Sequence, residues 1–407
     1  MSDAIVVTLK RVSAISLYWI VLGALVVGCG RVGFDSTATS STDSAFDANR
    51  GGDAAVGLTT VTVAAASEHT CATRRGRLAC WGDNSAGQLG VGDQVQRSAP
   101  ATVSGADWVE VQVGGSFSCG RKATGAVLCW GSNSNTQLGA LTPAASSVPL
   151  LVALPAAARA ISCGDRHACA VLETGRIWCW GDNREGQLGL HDSGAQQPSA
   201  PPTKAETVQN WTSVAAGQGH TLALASTTLF GTGRNTSGEL GSSAVAGQYR
   251  TLTTFSSVAF VVTAPGSNYT QAIDSQARLF GWGSNGAGQL GTGDRLNVAA
   301  PQLIDDTRAW RTIATDTFHS CAIDTLGNLY CWGRSIEGQL GNGSNGPDLL
   351  IATPSGSDKT WTSVSVGRFY TCAVATDQSI WCTGDNSAGK LGLGDTQRRA
   401  AWTMVAF

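Results

Sequence analysis

A four-residue motif, Gly-Gln-Leu-Gly or a near copy of it, recurs seven times along the sequence. The copies end at Gly90, Gly139, Gly189, Gly241, Gly291, Gly341 and Gly392, so successive ends lie 49, 50, 52, 50, 50 and 51 residues apart. A period near 50 residues indicates a repeat architecture, in which each unit buries its hydrophobic faces against its neighbours. One large repeat domain is therefore expected in place of several ordinary ones.

The residue pattern within one unit is typical of strands and turns. In residues 361–395, short β-branched and aromatic stretches alternate with Gly, Asp, Asn and Gln, and no helical period is present. The 51 glycines and only two methionines of the chain agree with this composition. Each unit is predicted to form a small antiparallel sheet of three or four strands. Seven such sheets arranged radially predict an all-β fold, a β-propeller.

The motifs of each unit also resemble a known family. An opening aromatic residue, a Gly-x-x-His element, a Trp-Gly-x-Asn turn and Gly-Gln-Leu-Gly follow one another from about residue 58 to the end. This pattern is similar to the repeat of the regulator of chromosome condensation (RCC1-like) family. The resemblance implies a seven-bladed propeller, but it implies little about function, because this fold serves many partners.

Large aromatic residues recur once or twice per unit and are predicted to lie in the core between sheets. The openers are Trp108, Trp211, Phe260, Trp310 and Trp361, and the turn tryptophans are Trp81, Trp130, Trp180, Trp282 and Trp332. At the chain end, residues 402–406 match the segment that leads into the next unit elsewhere. They are therefore predicted to pair with the blade that begins near Thr60 and to close the ring by the two terminal strands.

The N-terminal part of the chain differs from the repeats and predicts export. Lys10 and Arg11 precede seventeen mostly apolar residues, and the segment 25–29 ends in Cys29 and resembles the lipobox of bacterial lipoproteins. An uncleaved anchor is the alternative, although a bilayer-spanning helix needs about 20 residues. We therefore expect a signal peptide at 1–28, lipidation at Cys29, a flexible Ser/Thr/Ala/Asp/Gly-rich tether at 29–57 and the propeller at 58–407.

Ten of the twelve cysteines occupy two positions of the repeat. Five units have a cysteine at both positions and two units have a cysteine at neither, as bonded pairs require. The two positions flank a short turn between antiparallel strands, so their side chains should face each other. Five disulfides are predicted: Cys71 with Cys80, Cys119 with Cys129, Cys169 with Cys179, Cys321 with Cys331 and Cys372 with Cys382. They indicate an oxidising compartment. Zinc binding is the alternative, although the spacing of nine or ten residues is too long for it.

Two further cysteines and the histidines are the remaining candidates for chemistry. Cys163 is either a buried free thiol or exchanges with Cys169.

One position of the repeat holds a histidine in four units, and a structural ring that hydrogen-bonds within its own blade is expected there: His69, His167, His220 and His319. Phe117, Tyr269 and Tyr370 take that position in the other units. A metal site on the axis is the alternative for these histidines. His191, beside Asp192, is the only histidine elsewhere.

The sequence predicts a binding protein that is not an enzyme and has no cofactor. No nucleophile with a base, no phosphate-binding loop and no calcium loop is recognisable. With 27 basic and 29 acidic residues and no basic run, nucleic-acid binding is not expected. We expect a monomer anchored by lipid in the cell envelope that binds a protein or glycan through the loops after each Leu-Gly: 91–107, 140–157, 190–210, 242–259, 292–309 and 342–360.

Two other functions remain open. The first is an inhibitor of an envelope or secreted enzyme, since bacterial propellers that resemble this family include inhibitors of β-lactamase. It requires clustered aromatic residues on one face, for which Phe117, Tyr249 and Tyr370 are the exposed candidates. The second is a lyase or hydrolase with a site built from loops, which requires acids and histidines that converge on one rim.

Overall fold

The computed structural model of the protein describes residues 60–190, 199–205, 210–242 and 247–407. Over these residues the backbone forms strands and tight turns and no helix, so no helix that could cross a membrane is found in this part of the chain. The predicted signal peptide, lipidation at Cys29 and tether lie outside the described residues, as does His191.

The described residues form 27 strands in six sheets. Every pairing between neighbouring strands is antiparallel, and the strands of a sheet follow one another in chain order. The first sheet has seven strands: β1 (Thr62–Ala65), β2 (His69–Arg74), β3 (Gly76–Gly82), β4 (Arg97–Val113), β5 (Phe117–Lys122), β6 (Val127–Ser132) and β7 (Ala145–Leu151).

The other five sheets have four strands each. They are β8 (Ala158–Cys163), β9 (His167–Leu172), β10 (Ile177–Asp182) and β11 (Ser199–Lys204); β12 (Trp211–Ala216), β13 (His220–Ala225), β14 (Thr228–Arg234) and β15 (Gln248–Thr254); β16 (Phe260–Pro265), β17 (Tyr269–Asp274), β18 (Leu279–Gly283) and β19 (Val298–Asp305); β20 (Trp310–Thr315), β21 (His319–Asp324), β22 (Leu329–Gly333) and β23 (Leu349–Ser355); and β24 (Trp361–Val366), β25 (Tyr370–Ala375), β26 (Ile380–Gly384) and β27 (Arg399–Val405).

The seven-stranded sheet consists of two units that share the long strand β4. Residues 97–103 of β4 pair with β3, whereas residues 108–113 pair with β5. The described residues therefore contain seven four-stranded units, here called blades. Blades 1 to 7 are residues 62–103, 108–151, 158–204, 211–254, 260–305, 310–355 and 361–405.

The hydrophobic core lies between neighbouring blades, as in a β-propeller. The predicted aromatic openers and turn tryptophans are all at most 2% exposed and pack in these inter-blade clusters. One cluster joins the first and last blades, where Val63 and Trp81 pack with Tyr370 and Val374. Each sheet is thus buried against its neighbours, which a single four-stranded sheet cannot achieve alone.

The predicted pairing of residues 402–406 with the first blade is wrong. These residues belong to β27, which pairs with β26 of its own blade, and Val405 lies opposite Ile380. Each blade is completed by its own fourth strand, so among the described residues no strand is exchanged between the first and last blades. The terminal residue Phe407 instead packs against Trp81, with ring centroids 6.2 Å apart.

All five predicted disulfides are present and buried, and each joins two residues that lie directly opposite each other on the second and third strands of a blade. The two blades without cysteines place a larger side chain opposite a glycine there. Leu222 pairs with Gly231, and Gln271 pairs with Gly281. A crosslink between these strands constrains the unfolded chain and agrees with an oxidising environment.

The recurring motif is explained by contacts between blades. In five blades the turn tryptophan donates its indole N–H to a main-chain carbonyl of the preceding blade. The acceptor is the second residue of the Gly-Gln-Leu-Gly motif, as in the bond from Trp130 to Gln88 at 2.9 Å. The final motif glycine lies beneath such an indole. Gly90 has a φ of +71°, and a β-carbon there would approach Nε1 of Trp130 to 2.6 Å.

The asparagine of the Trp-Gly-x-Asn turn holds the motif in place. Its side-chain oxygen accepts the N–H of the motif leucine five residues later, as in Asn84 and Leu89, in six blades. Blade 6 has Ser335 at this position, and the buried Ser335 hydroxyl has no hydrogen-bond partner.

Candidate functional site

The loops between the first and second strands of all seven blades surround one cavity of about 350 Å³. Because the blades are antiparallel, these loops lie at the same end of the sheets as the loops between third and fourth strands. The lining consists of residues 64–67, 112–115, 163–166, 216–218, 265–267 and 314–317 with Ser365, Val366 and Arg368. We call this space the axial cavity.

Main-chain hydrogen bonds between neighbouring blades hold the wall of the axial cavity. Ser267 donates its N–H to the carbonyl of Asp316 at 2.8 Å, and Gly115 donates to the carbonyl of Asp165 at 3.0 Å. The N–H of Arg368 in blade 7 donates to the carbonyl of Ala66 in blade 1 at 3.3 Å. The wall is therefore built from backbone groups that leave little freedom for the loops.

One repeat position in this wall is restricted to small residues in six blades. Five blades have glycine and blade 1 has Ala66, because the carbonyl of the next blade lies very close. A β-carbon on Gly164, for example, would conflict with the carbonyl oxygen of Gly217. Blade 6 has Asp316 at this position, so the cavity lining includes a carboxylate residue where the other blades have no functional group.

The axial cavity contains two carboxylates that are poorly compensated. Desolvation raises the pKa of Asp316 to about 7, and the negative charge of Asp165 contributes to that increase. Desolvation also raises the pKa of Asp165. Among the described residues, Arg166 at 3.3 Å from Asp165 is the only ion-pair partner of either carboxylate.

Beside the mouth of the cavity lies an aromatic–arginine cluster formed by Phe318, Phe369, Arg334 and Arg368. The two phenyl rings are half-buried and stack with centroids 5.7 Å apart and planes 8° from parallel. The guanidinium of Arg334 lies 5.5 and 5.4 Å from the two ring centroids, and that of Arg368 lies 5.2 Å from Phe369. The exposed Ile336 belongs to the same end of blade 6.

The sequence reasoning missed Phe318, Phe369 and Asp316. The equivalents of the two phenylalanines in the other blades are polar or small: Glu68, Ser116, Arg166, Gly219 and Asn268. The signal was present in the alignment of the repeats, where blade 6 departs from the usual residue at Asp316 and Phe318 and blade 7 departs at Phe369.

The four histidines of the repeat position are structural, but their hydrogen bonds are not within their own blade as predicted. Each donates from Nε2 to a Ser or Thr of the next blade, as His167 does to Thr221 at 2.8 Å. Thr221 in turn donates to the carbonyl of Gln187, which requires the Nε2–H tautomer of His167. Tyr269 and Tyr370 form equivalent bonds to the next blade.

Burial keeps these four imidazoles neutral. Desolvation lowers the pKa of His69 and His167 to about 4 and of His220 and His319 to about 3. Their Nδ1 atoms are buried without a partner, so a proton there would find no acceptor. Among the described residues, no group of three or more His, Cys, Asp or Glu side chains forms a metal site.

Other predicted site residues are placed differently. Phe117 and Tyr370 are fully buried, so they are not the exposed aromatic residues that were expected, and Tyr249 is half-buried against Phe255. Cys163 is a free, half-buried thiol in the cavity lining, where burial raises its pKa. Its candidate exchange partner Cys169 is bonded to Cys179.

The segments predicted as binding loops do not form one surface. Each contains the fourth strand of its blade, such as β7 within 140–157 or β23 within 342–360. A segment therefore begins at the end of the sheets that carries the axial cavity and finishes at the opposite end. No single partner face includes all of these segments.

Two family descriptions match the sequence, both of them the regulator of chromosome condensation (RCC1) repeat. One matches residues 75–120, 124–171, 174–224, 276–323 and 327–374, which is more than half of the chain. The chain belongs to this family. The second description matches residues 108–137, 158–187 and 361–390. No curated protein matches the chain significantly.

Solved structures of this RCC1-repeat fold are similar to the chain. Human WBSCR16 is 20% identical with a TM-score of 0.74, covering 82% of this chain and 94% of WBSCR16. Prp20p from Saccharomyces cerevisiae is 20% identical with a TM-score of 0.75, covering 88% of this chain and 90% of Prp20p. Yeast RCC1 (Prp20) bound to Kap60 is also 20% identical, with a TM-score of 0.75 and coverage of 93% and 91%. At this identity the likeness shows the fold alone.

Proposed function

We propose that this RCC1-repeat protein is a non-enzymatic scaffold that binds a protein partner at the end of the propeller bearing the axial cavity. The observation that carries the proposal is the aromatic–arginine cluster beside the mouth. Aromatic and arginine side chains contribute much of the binding energy of protein interfaces, and here two stacked, partly exposed phenyl rings lie beside two guanidinium groups. A glycan that stacks a sugar ring on the phenyl groups is the alternative partner.

Relatives of the same fold support a protein partner. The solved structure of Prp20p is described together with its binding to Gsp1p and histones, and yeast RCC1 (Prp20) was solved bound to Kap60. The present chain has a formal net charge of −2 and no basic run, so we propose neither nucleic acid nor chromatin as its ligand.

The proposed scaffold is a closed ring of seven blades. Three kinds of contact support closure between blades 7 and 1. Tyr370 donates its hydroxyl to the carbonyl of His69 at 2.7 Å, and the main-chain bond from Arg368 to blade 1 belongs to the wall of the cavity. The fully buried Lys390 lies 2.6 Å from Glu68 of blade 1 and 2.6 Å from Asp385 of its own blade.

We further propose that the scaffold is exported and held at the cell envelope by a lipid on Cys29. The five disulfides support an extracytoplasmic location, because such bonds do not persist in a reducing cytoplasm. Intact mass of the full-length protein from bacterial membranes, compared with C29S, tests the anchor. An unmodified Cys29 and free thiols in the ten paired cysteines would contradict both export and lipidation.

Cross-linking in intact cells tests the binding surface. The full-length protein is compared with a F318S/F369S variant and with L326S, which changes a 79% exposed leucine at the opposite end of blade 6. We expect a captured envelope or secreted protein that F318S/F369S loses and L326S retains. With the purified partner, the double variant should bind at least about tenfold more weakly. Equal capture by both variants would refute the surface.

Inhibition of an envelope or secreted enzyme is a narrower form of this function. The clustered aromatic pair on one face meets the requirement stated for an inhibitor. Assay of the captured partner's own activity with and without the scaffold distinguishes an inhibitor from a simple adaptor.

A further inference from the structure

The axial cavity differs from the aromatic–arginine cluster in chemistry, and it points to a specific part of the partner. Its carboxylates, Asp316 and Asp165, come from blades 6 and 3 and lie in a space lined also by the hydroxyl-bearing Ser67, Ser267 and Thr317. Thr317 donates to Asp316 at 2.9 Å. The lining of the axial cavity is therefore rich in oxygen atoms that accept hydrogen bonds.

A carboxylate at the position of Asp316 is not explained by the fold. Six blades satisfy the same backbone geometry with glycine or alanine, and Asp316 makes no ion pair with any described residue. A carboxylate that is desolvated without a close cation costs free energy, and a cation that enters with good hydrogen-bond geometry offsets part of this cost. Such unfavourable placement is common at functional sites.

The size of the axial cavity limits what can enter. A volume of about 350 Å³ is at the small end of ligand pockets, which span about 300–1,000 Å³. It accommodates one long side chain but not a helix, whose diameter is about 10 Å. The adjacent Phe318 and Phe369 offer aromatic surface to the neighbouring residues of the same loop.

We propose that the axial cavity binds one basic side chain, a lysine ammonium or an arginine guanidinium, that projects from a loop of the protein partner. The proposal rests on the protein-binding role proposed above and names the chemistry of its central contact. The carboxylates of Asp316 and Asp165 pair with the cation, while the partner loop covers the aromatic–arginine cluster.

The cations already near Asp316 could compete with a basic side chain of the partner for the axial cavity, and Arg368 is the first of them to consider. Arg368 of blade 7 lines the cavity, and its charge favours the ionised forms of both Asp316 and Asp165, as does Arg234 for Asp165 and Lys390 for Asp316. Arg368 is exposed and forms no ion pair within the described part of the chain. Its guanidinium therefore competes with an incoming cation without occupying the site.

Ligand-observed saturation-transfer NMR on the full-length protein tests this proposal without knowledge of the partner. The probes are N-acetyl-L-arginine amide and N-acetyl-L-lysine amide, with N-acetyl-L-glutamate amide as the anionic comparison, at about pH 8 so that Asp316 is ionised. We expect saturation transfer to a cationic probe and none to the glutamate probe. The relative signals of the two cations distinguish guanidinium from ammonium.

Three variants make the test specific. D316N should weaken binding of the cationic probe at least about tenfold, and R368Q should strengthen it about threefold by removing the competing cation. D306N removes an exposed carboxylate from the connection between blades 5 and 6, at the opposite end of the sheets, and should leave binding unchanged. Equal signals from cationic and anionic probes, or full binding by D316N, would overturn the proposal. That result would leave the cross-linking test of the aromatic–arginine cluster unaffected.

Discussion

The four buried histidines should make the stability of the fold strongly dependent on pH. Their pKa values are lowered from 6.5 to about 4 or 3, so the folded protein keeps them neutral while the unfolded chain protonates them below its own pKa. Their contribution is fully present above the unfolded value and is lost as the pH falls toward the folded values.

The size of this effect follows from the shifts. Between about pH 8 and about pH 5, each histidine costs the folded state about 2 kcal/mol, or about 8 kcal/mol for four. Asp316 opposes this, because its raised pKa of about 7 lets the folded state bind a proton first and recovers about 3 kcal/mol. These five groups together predict a loss of about 5 kcal/mol over this range, and the raised pKa of Asp165 acts in the same direction as that of Asp316.

A H167Y/H220Y variant tests the origin of the loss. Three residues before each of these histidines the cavity wall has a glycine, as it does before Tyr269 and Tyr370. A tyrosine ring should therefore fit in place of either histidine and bond to the next blade. The variant should lose about 4 kcal/mol less than the parent between about pH 8 and about pH 5. Urea unfolding followed by tryptophan fluorescence at both pH values measures this difference.

The control for this experiment is H191Q, which changes the one histidine outside the repeat position and should keep the parent's pH dependence. If H167Y/H220Y loses as much stability as the parent on acidification, the buried imidazoles are not the source of the effect and the reasoning is refuted.

Three further variants test individual contacts, with urea unfolding as the assay. S335N restores the asparagine of the other six blades and should stabilise the fold by about 1 kcal/mol, and no gain would show that the turn does not need this side chain. G90A should destabilise the fold by about 2 kcal/mol more than G92A, because both glycines have a positive φ but only Gly90 lies against Trp130. Equal losses of stability in the two variants would contradict that contact. K390M should destabilise by about 3 kcal/mol, since it leaves two carboxylates without their buried cation, whereas a neutral result would mean that this ion pair does not hold blades 7 and 1 together.

The sequence predicted the blade and its disulfides because both are local properties. Strand patterns repeat at a fixed period, and each cysteine pair is present or absent as a unit, so a single blade contains the necessary information. The boundaries between blades could not be predicted in this way, because the period of a repeat does not show at which residue one blade ends and the next begins. This is why residues 402–406 were assigned to the first blade although they complete the last.

The candidate site was harder to predict because it depends on which blades are neighbours. Phe318 and Phe369 are 51 residues apart in the sequence and each resembles another core aromatic, yet adjacent blades stack them at the surface. The same limit applies to His167, whose partner Thr221 lies 54 residues away in the next blade. Composition and spacing identify such residues, but only the arrangement of blades identifies their contacts.

The position of the chain ends has a consequence for how this architecture can vary. Because β1 and β27 each remain in their own blade, the first and last blades meet as two complete sheets and do not share one. A permutant of residues 60–407 in which Phe407 is linked to Thr60 and the chain is opened between two other four-stranded sheets would break no strand pairing, so it should retain every sheet. By the same reasoning, duplication of one whole period of the coding DNA adds an intact blade, so the number of blades can change without producing an incomplete sheet.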